Sequence, residues 1–341
     1  MGLLVVKGVL RVAQFWPRGG SDADTAVIEV VLTGKTPFTF IDGTGKRHST
    51  RVFENAEVKG KFGPQAVISH DKRLNADKIR VRLQGIDAPE LHFQPRVPGS
   101  KGKNGNFRQP MGETCSNALF TELSKLGQAE LSCEVVSKVQ KPSDVCDVYG
   151  RVVGDVVLVA DGSRRDINHL LLREGWALPG FYNSMTDAEI KGLQADFNAA
   201  QAGARGLFSR KLVSTKLAIF DPSNRYQAGF SSFKPFSDKG SVNFPKFFRR
   251  QADHYVRRAV GKPVPADLLA FLKTKPDDLA IETARFLKHK GPGTAKEFKK
   301  QFRQLGTFIK NGKYPIGPEV VYWENDAKLV NAKTKKEITT W

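Results

Sequence analysis

Short runs in which apolar residues alternate with polar ones dominate the first two thirds of the chain, and alternation of period two is the mark of a strand buried on one face. Residues 3–12 are rich in Leu and Val and predict a first strand. A turn at Asp22, Ala23, Asp24 and Thr25 leads to a second strand through A-V-I-E-V-V-L. In residues 80–90, R-V-R-L-Q-G-I-D-A-P-E, Val81 and Leu83 alternate with Arg82 and Gln84, so Arg82 leaves the sheet on the face opposite its apolar neighbours. Pro89 ends that ladder, because it lacks an N–H and holds the residue before it extended. Residues 36–77 are polar and Gly-punctuated and predict an insertion carrying one extra hairpin.

Helical spacing appears between and after the strands. Residues 113–126 place Cys115, Leu119, Leu123 and Leu126 on one face, with Gly127 as a stop. Strands follow at residues 129–136 and in V-V-G-D-V-V-L-V, joined by a basic loop and D-V-Y-G-R; Asp161-Gly162 is then a tight turn. Asp166 caps a helix that Gly175 ends, and Thr186 with Glu189 forms a capping box for a third helix striped by Leu193, Phe197, Ala200 and Ala204. Three strands, a helix, two strands and two helices is the order of a five-stranded OB-type barrel.

Beyond residue 213 the pattern changes. Residues 213–242 read as an aromatic, Gly/Ser-rich linker, and residues 243–341 as a smaller, mainly α-helical domain, giving an α+β chain overall. Asn243 is expected to cap a helix with Phe244, Phe248, Ala252, Tyr255 and Ala259 inward and Arg249, Arg250, Arg257 and Arg258 largely outward. Residues 277–289 predict a second helix. Thr294 and Glu297 predict a capping box for a third, with Phe298, Phe302, Leu305 and Ile309 opposite Lys296, Lys299, Lys300 and Arg303.

Charge changes this picture most. The 341 residues carry a net charge of +19, which favours polyanionic partners, nucleic acid first and anionic membrane second. About two thirds of that excess lies beyond residue 213, where 25 basic residues face 12 acidic ones. This basic domain is expected to raise affinity for nucleic acid through phosphate contacts; a solvated basic surface packed on the rest of the chain or on a protein partner is the alternative. Residues 95–110 read as a mobile basic loop. The three cysteines, Cys115, Cys133 and Cys146, show no C-x-x-C and read as reduced thiols. The opening apolar run is too short for a secretory signal, and no stretch is long enough to span a bilayer, so the expected location is cytoplasmic, with no membrane partner.

On the residues alone, 80–90 is either a surface strand with an Arg–Asp pair entering a proline turn, or a strand that delivers charge to a site. Five pieces in order decide between these: D-A-D-T at Asp22 to Thr25, R-L-Q-G-I-D-A-P-E at Arg82 to Glu90, D-V-Y-G-R at Asp147 to Arg151, I-N-H-L-L-L-R-E-G-W-A from Ile167, and A-R-G-L-F from Ala204. With them the chain resembles the staphylococcal nuclease (thermonuclease) family over about residues 3–212. The resemblance implies Asp24 and Asp87 as calcium ligands with the main-chain carbonyl of Ala88, Glu90 as general base, and Arg82 and Arg151 as phosphate-binding arginines. Asp87 is then a metal ligand rather than the partner of Arg82, which is left for phosphate. It also implies aromatic residues beside a nucleotide base, for which Phe181 or Tyr182 stands in place, packing being the other role open to them. Two departures, Ala23 for the commoner glycine and Ala88 for threonine, leave the ionic set intact. The implied activity is calcium-dependent hydrolysis of DNA or RNA to 3′-phosphate ends. The alternative is a binding module of the same fold that holds nucleic acid or protein without cutting. A cytoplasmic nuclease endangers its own genome, so restraint by a regulatory protein partner, by low free calcium or by the appended domain is a further expectation.

Overall fold

The computed structural model describes residues 2–15, 22–31, 38–60, 63–72, 75–100, 106–160, 162–209, 211–216, 220–226, 240–275, 278–288, 295–315, 317–323 and 327–341. They fall into two compact units that interleave along the chain. The first comprises residues 1–84, 120–170 and 325–341, and the second residues 85–119 and 171–324.

The first unit is built on a closed barrel of five strands: β1 (Gly2–Arg11), β2 (Thr25–Val30), β3 (Ala76–Leu83), β4 (Glu130–Val139) and β5 (Val152–Ala160). Each strand pairs with two others. Strand β1 pairs with β2 and β4, β2 with β3, and β4 with β5, all antiparallel; β3 and β5 close the ring in parallel. Closure removes the open edges that an isolated sheet would expose. The alternation seen in sequence becomes the barrel interior: Leu4, Val6, Leu10, Ile28, Ile79, Val81, Leu83, Leu131, Val135, Val156 and Leu158 are all buried. Gly154 lets β5 approach β4, because a Cβ there would stand 2.6 Å from the Val136 carbonyl oxygen.

The insertion is richer than the single hairpin expected. Phe38–Ile41 pairs with β1 and with Arg47–Thr50, Ala56–Gly60 pairs with Gly63–Ala66, and Ile68–Asp71 pairs with β3. A further strand, Lys328–Asn331, joins Ala56–Gly60, and Trp341 stacks on Phe40 at 4.1 Å while its indole N–H donates to the Gln140 carbonyl. The last residues of the chain thus complete a sheet begun near residue 56. Their partners are distant in sequence, which hides the pairing from local pattern.

Three helices follow the expected order: α1 (Gly112–Ser124), α2 (Ile167–Arg173) and α3 (Asp187–Ala202). Asp166 accepts the N–H groups of Asn168 and His169 at the start of α2, and Thr186 with Glu189 closes the capping box of α3. The boundary between the units passes through α1 and α2.

In the second unit, Gly85 turns the chain at φ +74°, where a Cβ would also meet the Leu193 side chain at 2.3 Å. Ile86–Asp87 then pairs with Leu178–Pro179. Helix α4 (Pro245–Ala259) starts with Pro245 in its first turn and Phe244 as N-cap, so Asn243 lies one residue before the expected cap role. Its buried face carries Phe247, Phe248, Ala252 and Val256, whereas Tyr255 and Ala259, expected inward, are exposed. The helix expected over 277–289 is not a single helix across the described residues 278–288. Leu279–Glu282 is a strand pairing with Arg303–Gln304 and Val320–Tyr322, and Thr283–Lys288 is a short helix. The stripe from Phe298 to Ile309 is likewise divided among the helix Ala295–Lys299, the Arg303–Gln304 strand and a single 3-10 turn. Its expected cap, Thr294, lies outside the described residues, as do Asp161, residues 101–105 of the basic loop and 227–239 of the linker.

All three cysteines are buried and unbridged. Burial pushes the Cys133 thiol up to about 12, with the charge of Glu134 adding to it, so it is a packing residue and not a nucleophile. Among the described residues no helix is long and apolar enough to cross a membrane.

Candidate nuclease site

The first unit gathers Asp24, Arg82 and Arg151 around Thr25. Asp24 sits in the turn before β2, 3% exposed, and its carbonyl accepts the Leu83 N–H at 2.9 Å. Thr25 lies in register opposite Arg82, so the Arg82 guanidinium emerges beside Asp24 and pairs with its carboxylate. Arg82 was expected to be left for phosphate rather than paired with Asp87; its Nη1 pairs instead with Asp24, because strand register sets the two side by side. Thr25 Oγ1 donates to Asp24 Oδ1 at 3.2 Å and accepts from Arg151 Nη1 at 3.2 Å. Arg151 is aimed by its own turn: Asp147 accepts its backbone N–H at 2.9 Å and its Nε at 2.7 Å, and Gly150 supplies the positive φ of 75°. D-V-Y-G-R is therefore a self-bonded turn whose aspartate holds its arginine. Asp147 and Thr25 were quoted in the sequence motifs without a role; the four-residue spacing of Asp147 and Arg151 was the available signal.

The second unit holds Asp87, Ala88 and Glu90, all buried. The Glu90 backbone is clamped by Gln109, whose Oε1 accepts the Glu90 N–H at 2.9 Å and whose N–H donates to the Glu90 carbonyl at 2.8 Å. Gly112 passes so close that a Cβ would stand 2.7 Å from that carbonyl oxygen. Arg249 of α4 donates from Nη2 to Asp87 Oδ2 at 2.9 Å and pairs through Nη1 with Glu90 Oε1. Burial alone would lower the Arg249 pKa, but the charges of Asp87 and Glu90 outweigh it and hold the guanidinium well above its ordinary value. Arg249 was expected to face outward; the helix turns it onto the acidic pair.

These are the acids, arginines and main-chain carbonyl that the sequence motifs single out, each buried or held in a defined geometry. Residues 80–210 match the family of staphylococcal nuclease homologues. A relative from Yarrowia lipolytica, named a probable endonuclease (LCL3), is 28% identical over 148 residues, covering 42% of this chain. The chain spans 55% of the length of that relative. The nuclease-homologue segment contains Arg82, Asp87, Ala88, Glu90, Arg151, Phe181 and Tyr182, whereas Asp24 precedes it and Arg249 lies beyond it.

Within the nuclease-homologue segment the two aromatic candidates separate. Phe181 is fully buried and pairs with Val321, so it is a core residue, while Tyr182 stays partly exposed with its ring 5.7 Å from Lys246 Nζ. Burial brings the Lys246 ammonium down to about 8, against the opposing charge of Asp278. Asp24 in the first unit, and Asp87 with the Ala88 carbonyl in the second, are oxygen donors, a chemistry that fits a hard divalent cation. Among the described residues no three His, Cys, Asp or Glu side chains gather into a group that could hold a metal ion.

The basic residues beyond the segment are unequal. Arg250 is bidentate to buried Asp278 at 2.5 and 2.6 Å, and Arg257 pairs with Asp253 at 3.0 Å. Arg258, Lys299, Lys300 and Arg303 are exposed; Arg303 pairs with Glu282, and Lys299 lies 5.1 Å from the Trp323 ring centroid. Lys296 belongs to the helix Ala295–Lys299, and its side chain lies outside the described set.

Proposed function

We propose that the protein is a metal-dependent nuclease that hydrolyses phosphodiester bonds of DNA or RNA. The observation that carries this reading is that the matched segment contains Arg82, Asp87, Glu90 and Arg151, and that the acidic pair among them is buried where a charge needs a partner. A phosphodiester repels nucleophiles and gains negative charge on its way to hydrolysis. The Arg82 and Arg151 forks would bind the non-bridging oxygens and stay protonated throughout, with Arg151 also assisting the leaving oxygen. Glu90 would take a proton from the attacking water, and its clamped backbone limits where that carboxylate can reach. Asp24, Asp87 and the Ala88 carbonyl are the proposed holders of a calcium ion, which would neutralise part of the phosphate charge.

The proposal includes 3′-phosphate products, a cytoplasmic setting and a division into a nuclease region through residue 212, a connection over 213–242 and a basic region from 243. In it the exposed Arg258, Lys299, Lys300 and Arg303 aid nucleic-acid binding and Tyr182 lies beside a base. The non-cleaving binding module is favoured by one observation, that Asp24, Asp87 and Glu90 are each already paired with an arginine.

Digestion of plasmid DNA and of RNA with calcium, magnesium or chelator, beside Glu90→Gln, separates the two. Metal-dependent cutting by the wild type, lost in Glu90→Gln, is expected. Binding of the same nucleic acids without any metal-dependent cutting would leave the binding module.

A further inference from the structure

Arg249 lies beyond the matched segment, yet its guanidinium rests on two residues which that segment supplies. Nη1 and Nη2 bond to the two oxygens of Asp87, at 3.3 and 2.9 Å, and Nη1 also reaches Glu90 Oε1. The Asp87 and Glu90 side chains are 4% and 8% exposed, so two buried acidic groups share one guanidinium, itself 24% exposed. A planar guanidinium suits this, because it presents several donors in a fixed fork.

The arginine arrives on a packed helix. Gln109, which holds the Glu90 N–H, donates its own amide to the Asn243 carbonyl at 2.8 Å, and the Asn243 side chain donates to Gln251 Oε1 at 3.1 Å. The Phe244 N–H donates to Tyr314 Oη at 2.9 Å. Phe248, Ala252 and Val256 form a buried cluster with Val97 and Phe107 from the loop after Glu90. The loop of Asp87 and Glu90 is therefore braced on α4 by bonds and by packing, with Arg249 at the centre of the brace.

We propose that Arg249 is a positioning residue that holds Asp87 and Glu90 when no divalent cation is bound and competes with such a cation for Asp87. It thereby sets the metal affinity of the site. The inference rests on the nuclease reading for its metal. With both Asp87 oxygens engaged by one fork, a metal gains that carboxylate only as the guanidinium yields it, and two ligands for one group weaken each other reciprocally.

The test is calorimetric titration of the full chain with calcium in the absence of nucleic acid, for the wild type, Arg249→Gln and Arg249→Lys. Arg249→Gln is expected to bind calcium roughly tenfold more tightly or better, within the usual range of coupling between competing ligands. Arg249→Lys, which keeps the charge and loses the fork, is expected between the two. Unchanged or weaker binding in the variants, or no calcium binding by any of the three proteins, would overturn the proposal. If circular dichroism shows Arg249→Gln unfolded, Arg249→Lys decides alone. Plasmid cleavage by the wild type keeps the two ideas apart. Cleavage with unshifted affinity sinks the role of Arg249, and shifted affinity without cleavage sinks the nuclease reading.

Discussion

In the barrel unit Asp24 meets Arg82 across a single strand pairing, whereas in the second unit Asp87 and Glu90 meet an arginine 162 and 159 residues further along the chain. The first partnership follows from register. Once Thr25 stands opposite Arg82, the neighbouring aspartate and the guanidinium share one edge of the barrel. The second exists only if α4 folds onto the loop after Glu90. An acidic site can thus be neutralised from within its own scaffold or by a segment that the scaffold did not supply. The two cases differ in what a mutation removes. Near Arg82 a substitution disturbs one fork, while near Arg249 it disturbs the brace between the acidic loop and the C-terminal region.

The largest effect is expected on the barrel side. Arg82→Lys keeps a charge beside Asp24 but loses the planar fork, and cleavage of plasmid DNA should fall on the order of a hundredfold or more, as when other preorganised charge stabilisers are removed. Near-normal cleavage would falsify the assignment of Arg82 to phosphate.

A middle-sized effect belongs to α4 and sharpens the second half of the comparison. Burial by itself would raise the Asp278 carboxyl, but Arg250 overrides it and holds the group below its usual value. A carboxyl lowered in the folded state adds stability above the unfolded pKa of about 3.9 and loses it as pH falls through the lower folded value. Asp278→Asn should therefore cost on the order of 2 kcal/mol at pH 7, below the figure for a fully buried pair because Arg250 is 30% exposed. The deficit should persist at pH 5 and close below about pH 4. Urea unfolding of both proteins across that range reads it, and a deficit independent of pH would rule the ion pair out as its source.

The smallest effect concerns the exposed cations of the second unit, which contrast with the paired arginines of α4. Lys299→Gln with Lys300→Gln should leave stability nearly unchanged. If both lysines touch phosphate, the slope of log affinity against log salt for duplex DNA should fall by about 2. A slope equal to that of the wild type would assign these lysines to a solvated surface.

Much of this arrangement is legible in the residues. Alternation through Val81 and Leu83 places Arg82 outward from the barrel core, and the capping residues Asp166, Thr186 and Glu189 take the roles their types suggest. The C-terminal region is harder to read. L-A-I-E is a strand because Val320–Tyr322 and Arg303–Gln304 flank it, whereas on its own it fits the helical run expected for residues 277–289. Helix α4 is rotated from its expected face because Phe247 and Val256 are buried and Tyr255 is not. Short apolar runs suit either period, and the partner decides between them.

The sequence by itself determined the order of barrel strands, which follows from periodicity within a few residues, and its resemblance to the staphylococcal nuclease family singled out Asp24, Arg82, Asp87, Glu90 and Arg151. Tertiary structure decided which arginine each acid meets, that Phe181 belongs to the core while Tyr182 keeps a partly exposed face, and that residues 328–331 complete a sheet begun at residue 56. Those outcomes depend on surfaces brought together over long loops. Their free energy comes from burying a shared charge or a shared apolar face, which no local stretch of sequence contains.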